Sequence, residues 1–329
     1  VPQRDGRTTS MKPVRMGVLG CADIALRRML PAMAASPHTE VTAVASRDGV
    51  TATAVAREYG CRAVRGYAGI LEREDVDAVY VPLPAALHAD WVEAALRAGK
   101  HVLAEKPLTT DAARTAELVE LARGQGLALM ENLLFLHHHQ HARVDRLLAE
   151  GAVGRLTSLH AAFCVPGFRA NDIRYRPDLG GGALWDVGVY PLRVAVRFLG
   201  PDLEVAGAIL TRGPDREVDT AGAVLLRAAD GVAVQLTFGV EHTYRSAYEL
   251  RGGNGELALD RAFTPPADHR PVLRLRPQGG AGQDILLEPD DQVANTVTAF
   301  VEAVRTRAAP AKEILVLARL LEEVRHAAG

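Results

Sequence analysis

From about residue 14 to residue 130, short apolar runs alternate with amphipathic helical stretches, and no other feature of the chain restricts its fold as much. Strands buried in a parallel sheet read as near-continuous apolar runs, and each needs a crossover helix to reach the next. The runs at 14–20, 41–45, 62–64, 76–81, 101–105 and 127–130 fit that pattern, with helical stretches expected to about Ser36, near 50–59, 67–74 and 87–98, and to about Arg123. The pattern predicts an α/β fold whose N-terminal domain, residues 1–131, is a doubly wound sheet. From about residue 132 the grammar changes. A helix near 138–150 precedes strand-like runs near 155–165, 204–211, 221–227, 232–240, 245–251 and 256–260, with shorter ones near 272–276 and 285–287. Two helices near 291–307 and 313–326 follow. Consecutive strands without helices between them predict a large, mostly antiparallel open sheet, so residues 132–329 are expected to form a C-terminal α+β domain.

The first strand-to-helix turn carries Gly20-Cys21-Ala22-Asp23-Ile24-Ala25, a weakened G-x-G-x-x-G/A pattern. In such a turn the first glycine permits the bend. Small residues let the backbone approach a pyrophosphate, and the helix N-terminus offers N–H donors to it. An ordinary tight turn has the same composition, so the next strand is the second half of the test. It ends in Ser46-Arg47-Asp48 rather than in a lone acid. A hydroxyl and a guanidinium suit a ribose 2′-phosphate, hence NADP(H) rather than NAD. Asp48 reads as the cap of the following helix.

Two further stretches stand out. The fifth run ends in Ala104-Glu105-Lys106-Pro107. Ligands of parallel sheets bind beyond the carboxyl ends of the strands, and a proline keeps the residue before it extended, so Lys106 points into the expected crevice. Lysine is scarce here, four against 34 arginines, so Lys106 is not one of many solubilising lysines. The second stretch is the glycine-rich GGGALWDVGVY (180–190), in which Asp186 and Tyr190 stand four apart on one helix face. Taken alone, Tyr190 reads as a core residue with its hydroxyl at the rim.

A formal net charge of −2 offers nothing to nucleic acid or to a membrane surface. Three widely spaced cysteines form neither a disulfide framework nor a zinc site. No run has transmembrane length, and the polar N-terminus VPQRDGRTTS is not a signal peptide, so a cytoplasmic protein is expected, with Met11 opening the ordered fold.

With GVLGCADIA, VASRD, PLPAALH, GKHVLAEKPL and GGGALWDVGVY in that order, the chain resembles the glucose–fructose oxidoreductase/inositol dehydrogenase (Gfo/Idh/MocA) family from about Val14 onward. Within it the chain is most similar to C-3 ketoreductases of dTDP-linked deoxysugars in antibiotic biosynthesis. The resemblance implies a Rossmann domain for NADP(H) and contact with the cofactor from Gly20, Cys21, Ala22, Asp23, Ile24, Ser46, Arg47, Pro82, Leu83, His88, Glu105 and Lys106. It also implies a catalytic set of Lys106, Tyr190 and Asp186, no metal, and a homodimer or homotetramer packed sheet to sheet. Tyr190 would give a proton to the ketone oxygen, with its pKa lowered by Lys106. Ala22 departs from the usual middle glycine, and Ala85 from a more usual polar residue.

A nucleotide-linked sugar needs cations in the second half, and Arg169, Arg174 and Arg176, just before the glycine turn, are candidates. In His137-His138-His139-Gln140-His141 an i, i+4 histidine pair invites a metal, but no third ligand lies near. His138 and His141 are instead expected to line the sugar pocket. Two alternatives share much of this reading: an NAD(P)-dependent dehydrogenase of a free aldose, cyclitol or dihydrodiol, and a non-catalytic NADP-binding regulator, against which the presence of both Lys106 and Tyr190 argues.

Overall fold

A computed structural model describes residues 12–329; Met11 and the stretch before it lie outside the described residues. The first half is a parallel sheet of β1 (Val14–Leu19), β2 (Thr39–Ser46), β3 (Arg62–Arg65), β4 (Ala78–Val81), β5 (His101–Glu105) and β6 (Leu129–Asn132). The strand order is β3-β2-β1-β4-β5-β6. Its helices are α1 (Leu30–Ala35), α2 (Gly49–Glu58), α3 (Ala68–Leu71), α4 (His88–Arg97) and α5 (Ala112–Gln125). Both faces are buried, as a parallel sheet requires. Met16, Val18, Val44 and Leu103 pack toward α1, and Leu19, Val79, Val102 and Ala104 toward α4 and α5. The order reverses between β1 and β4, and this switch point opens a crevice at the strand ends.

The second half continues with α6 (His139–Ala149), β7 (Leu156–Cys164), α7 (Val189–Leu199) and β8 (Leu203–Thr211). There follow β9 (Ala221–Ala228), β10 (Ala233–Gly239), β11 (Arg245–Gly252), β12 (Gly255–Asp260), β13 (Val272–Pro277) and β14 (Gln283–Leu286), then α8 (Gln292–Thr306) and α9 (Glu313–Ala327). The strands make one eight-stranded sheet, ordered β14-β13-β12-β11-β7-β10-β9-β8. One pairing in it is parallel, between β7 and β10, because α7 and its preceding loop carry the chain across the sheet. One face holds the core, with Leu159, Val224, Leu236 and Leu250 under α7. The other face is open, with Ile209 63% and Leu225 47% exposed.

The division near residue 132 does not describe the end of the chain. Val293, Val297, Phe300 and Val301 of α8 belong to the core of the first sheet, and Ile314 of α9 joins the core on its other face. The C-terminal helices therefore strap the two sheets together. The glycine turn does so too. A Cβ on Gly180 (φ +75°) would come within 2.8 Å of Ala86 N and 3.1 Å of Ala85 Cβ, so only glycine lets this turn close on the loop after β4. Among the described residues no helix is long and apolar enough to cross a membrane.

Candidate active site

The nucleotide side is built at the ends of β1 and β2. Gly20 has φ +124°, and a Cβ there would lie 3.0 Å from Leu83 Cδ2 and 3.5 Å from Pro82 O. Glycine thus serves both the bend and the approach of Pro82 and Leu83 across the switch point. Its N–H bonds Ala45 O at 2.9 Å. Cys21 rests its Sγ 3.9 Å from the same oxygen, and burial pushes its thiol pKa up, which suits a small filler rather than a reactive group. Ala22 and Ile24 lead into a π-type turn, Ala25–Met29, with no side-chain cap at Ile24, and Leu26 N–H bonds Ala22 O at 3.1 Å. The Asp23 side chain is exposed and paired with Arg27 on its own helix. Asp48 caps α2 through Val50 and Thr51 N–H at 3.0 and 3.3 Å. Ser46 Oγ accepts from Asp48 N–H, and Arg47 stands exposed with no acidic partner among the described residues. A glycine cradle and a basic strand end fit an anionic dinucleotide with a 2′-phosphate.

The reacting side gathers around Lys106, which follows β5 and precedes a cis Pro107. Its ammonium donates to Asp186 Oδ1 and to Asp186 O, both at 2.7 Å, and lies 5.6 Å from the centre of the Tyr190 ring. Asp186 lies in a π-type turn, Leu184–Gly188. A π-type bond from its carbonyl would fall on Pro191, which has no N–H to give, and the ammonium takes that oxygen. Arg174 Nε donates to Asp186 Oδ2 at 2.9 Å, so both carboxylate oxygens face a cation. The Lys106 and Asp186 side chains are only 14% and 19% exposed. Burial opposes both charges, yet Asp186 and Tyr190 hold the lysine above its ordinary pKa, and Lys106 and Arg174 hold the carboxyl below its own. Asp219 supports the helix from outside, accepting from Leu184 N–H at 2.7 Å.

The Tyr190 ring packs against Phe163, Phe263 and Phe135, with centroids 4.8, 5.6 and 5.9 Å away. Its hydroxyl has no hydrogen-bond partner among the described residues. Its acidity departs from expectation: burial pushes the phenol up to about 12, with Glu105 and Asp186 adding to the rise, and outweighs the lowering by Lys106 and Arg174. The phenol is therefore a proton held ready, not a phenolate.

Several expected contacts are corrected. His88 is fully buried and ties two loops, with Nδ1 2.7 Å from Pro107 O and Nε2 2.7 Å from Leu83 O, so it is a strut rather than a cofactor contact. Glu105 Oε1 accepts from Tyr80 O–H and Asn132 Nδ2, both at 2.6 Å, and braces the sheet end instead of reaching a ligand. His138 caps α6, accepting from Gln140 N–H at 3.1 Å. His141 is fully buried: its Nε2 donates to Ala262 O at 3.1 Å and its Nδ1 accepts from Tyr248 O–H at 2.9 Å. Neither histidine lines a pocket, because the helix that carries them turns this face into the core. Arg174 is committed to Asp186 and Asp172, and Arg176 to Asp178. Arg169 is exposed, with no side-chain partner among the described residues. Among those residues no group of three His, Cys, Asp or Glu could hold a metal ion.

The sequence reading passed over Glu131. It is buried at the end of β6, and burial pushes its carboxyl up to about 7. The available signal was a charged residue closing an apolar strand, at the edge where ligands of parallel sheets bind.

Comparison with known proteins agrees with this architecture. A family model described as an oxidoreductase family with an NAD-binding Rossmann fold matches residues 14–133, and one described as the GFO/IDH/MocA C-terminal domain matches residues 141–258. A dTDP-3,4-didehydro-2,6-dideoxy-α-D-glucose 3-reductase of Streptomyces violaceoruber is 57% identical over 302 residues, 91% of this chain and 88% of that protein. A D-xylose 1-dehydrogenase (NADP(+)) of Haloferax volcanii is 37% identical over 298 residues, 89% of this chain and 90% of the other. The crystal structure of a 3-ketoreductase from Actinomadura kijaniata, in complex with NADP and TDP-benzene, superposes with a TM-score of 0.93 at 50% identity, covering 96% of this chain and 98% of that one. The chain belongs to the GFO/IDH/MocA family of oxidoreductases.

Proposed function

We propose that the protein reduces the C-3 ketone of a dTDP-linked keto-deoxysugar with NADPH, Tyr190 supplying the proton and Lys106 assisting. The observation that carries this reading is the unpartnered Tyr190 hydroxyl beside a lysine clamped by Asp186, at the mouth of a dinucleotide crevice. Two of the relatives named above support the substrate class. Variants of the Actinomadura ketoreductase with a lysine changed to alanine and a tyrosine changed to phenylalanine have been crystallised, and those two positions are 84 residues apart, as Lys106 and Tyr190 are here.

When bound at the β1–β2 end, the reduced nicotinamide cofactor supplies the hydride. The Gly20 turn and the helix start after it would hold the pyrophosphate, and Ser46 and Arg47 would hold the 2′-phosphate. Tyr190, protonated through the neutral range, donates to the ketone oxygen. Of the three ammonium N–H groups of Lys106, two are spent on Asp186, leaving one to stabilise negative charge growing on that oxygen. Asp186 keeps the ammonium charged despite its burial. Arg169 is the arginine left free for the diphosphate.

The exposed face of the second sheet carries a row of small residues, Ala223, Thr237, Ala162 and Ala247, beside Ile209 and Leu225. A cytoplasmic homo-oligomer packed through this face follows from the same reading. Light scattering would test it, with a monomer at micromolar concentration as the opposing result.

The test of function is NADPH oxidation with a dTDP-keto-deoxysugar made in situ, beside oxidation of free sugars with NADP and NAD. Consumption of NADPH with the nucleotide sugar alone is expected. The xylose dehydrogenase relative favours one other reading, and turnover only with a free aldose would install it instead.

A further inference from the structure

Lys106 is aimed by the turn it sits in, and that turn has little to hold itself. Pro107 has no N–H, and the next peptide unit, Pro107–Leu108, offers one carbonyl and one N–H. Both are taken by buried side chains from opposite sides. His88, at the start of α4, lies between two carbonyls that only accept; burial lowers its pKa, so the ring is neutral with one N–H, and the Nδ1–H tautomer donates to Pro107 O at 2.7 Å. Leu108 N–H donates to Glu131 Oε1, at the end of β6, at 2.8 Å. Glu131 pairs in register with Ala104, two residues before Lys106, so the carboxylate reaches under the turn from the neighbouring strand. The other ring nitrogen of His88 lies 2.7 Å from Leu83 O, in the loop facing Gly20, and takes the donor role in the alternative tautomer.

We propose that His88 and Glu131 are positioning residues that clamp the Pro107–Leu108 peptide plane and thereby set the direction of Lys106 toward Asp186 and Tyr190. A peptide is planar, so gripping its oxygen and its hydrogen fixes the orientation of the whole unit. The turn then has one way to leave β5, and the lysine stem starts from a fixed point. Arg193, three residues past Tyr190 on α7, attracts Glu131 and is drawn to it in turn. The charged neighbours of Glu131 are Arg193, Lys106 and Glu105; those of His88 are Glu105 and Lys106. The link from clamp to catalysis rests on the reading of Lys106 as catalytic, and the test separates the two.

The chain has four lysines, so the side-chain ammonium signals of 15N-lysine-labelled protein are few enough to assign. In the full chain without ligands, Glu131→Leu should shift the Lys106 signal or lose it to solvent exchange. Glu131→Gln, which keeps an oxygen acceptor for Leu108 N–H, should leave the signal in place. In turnover, Glu131→Leu should lower kcat by about 10²-fold, with KM changed far less, as misplacement of a reacting group by about 1 Å does; Glu131→Gln should restore most of kcat. Should Glu131→Leu not fold, Glu131→Asp, one methylene too short for Leu108, is expected to move the signal the same way. A parent-like Lys106 signal in a folded Leu or Asp variant would overturn the clamp. A displaced signal with undiminished turnover would leave the clamp standing and overturn the catalytic assignment of Lys106.

Discussion

Two polar aromatic side chains pack against the same phenylalanine. His141 meets Phe135 edge-on at 5.3 Å, and Tyr190 lies 5.9 Å from that ring. Around His141 every valence is spent. Its ring is neutral, because burial drives its pKa well below the ordinary value, and each nitrogen has a partner of the right kind. Around Tyr190 the ring is as tightly packed, but the hydroxyl has been left over. The difference teaches that burial and residue type do not separate these two side chains; an unspent donor next to a spent charge does. The same contrast separates Arg174, tied to two aspartates, from Arg47 and Arg169, which are tied to none.

The largest effect should come from removing the unspent group. Tyr190→Phe keeps the ring against Phe163 and Phe263 and deletes only the hydroxyl. Loss of a positioned general acid is expected to lower kcat by roughly 10²–10⁴-fold, with substrate binding retained, measured by steady-state NADPH oxidation. The pH profile sharpens the point. With the phenol pushed up to about 12, it stays protonated through the neutral range, so ketone reduction should show no fall from its ionisation between about pH 7 and 9. An alkaline limb near pH 8 that vanishes in Tyr190→Phe would mean that Lys106 overrides burial in the working enzyme.

Next comes the spent charge. Asp186→Asn leaves a buried ammonium with an amide in place of its counter-ion. Breaking a buried pair from one side costs about 3 kcal/mol of stability, read by thermal unfolding. Asp186 holds the Lys106 pKa up, so its loss lets burial pull that pKa down. The alkaline limb of kcat/KM that reports the lysine should therefore move to lower pH. An unmoved limb would show that Lys106 takes its charge from elsewhere.

Most of the architecture was legible because it is written in local periodicity. The six strands of the first sheet, the Asp48 cap and the change of grammar near residue 132 each follow from short apolar runs and their punctuation. What was not legible depends on contacts distant in sequence. The parallel pairing of β7 with β10 and the return of α8 to the first core leave no local trace, since an amphipathic helix does not say which core covers it. The site divided in the same way. Motifs singled out Lys106, Asp186 and Tyr190, and the structure brings the three side chains together, but the direction of the Tyr190 pKa follows from its burial, which no motif records. The internal partners of His88, Glu105, His138 and His141 were not legible, because a polar residue in a loop or at a helix start looks the same whether it faces a ligand or the next strand.

A third substitution tests the closed side of the comparison. His141→Leu removes a hydrogen-bonded ring from the core. Ala262 O keeps the Gln140 Nε2 donor at 3.0 Å, but the Tyr248 hydroxyl loses its acceptor in a fully buried place. A loss of about 2 kcal/mol is expected by denaturant unfolding, with kcat per folded molecule unchanged. A fall in kcat without loss of stability would return His141 to the substrate pocket.

The smallest effect should be at Arg47, the unspent cation at the far end of the crevice. If its guanidinium meets a 2′-phosphate, the contact is solvent-exposed and shared with the Ser46 hydroxyl, so no single group carries it. A charge-assisted bond of this kind contributes about 1.5 kcal/mol, close to tenfold in affinity. Arg47→Ala is therefore expected to weaken NADPH binding by about tenfold while NADH binding stays near its parent value, followed by titration of cofactor fluorescence. The ratio is the informative quantity, because a stacking role on the adenine would weaken both cofactors alike. Equal losses would remove the 2′-phosphate reading from Arg47 and leave it to Ser46, and the contrast between spent and unspent arginines would then apply at the reacting centre alone.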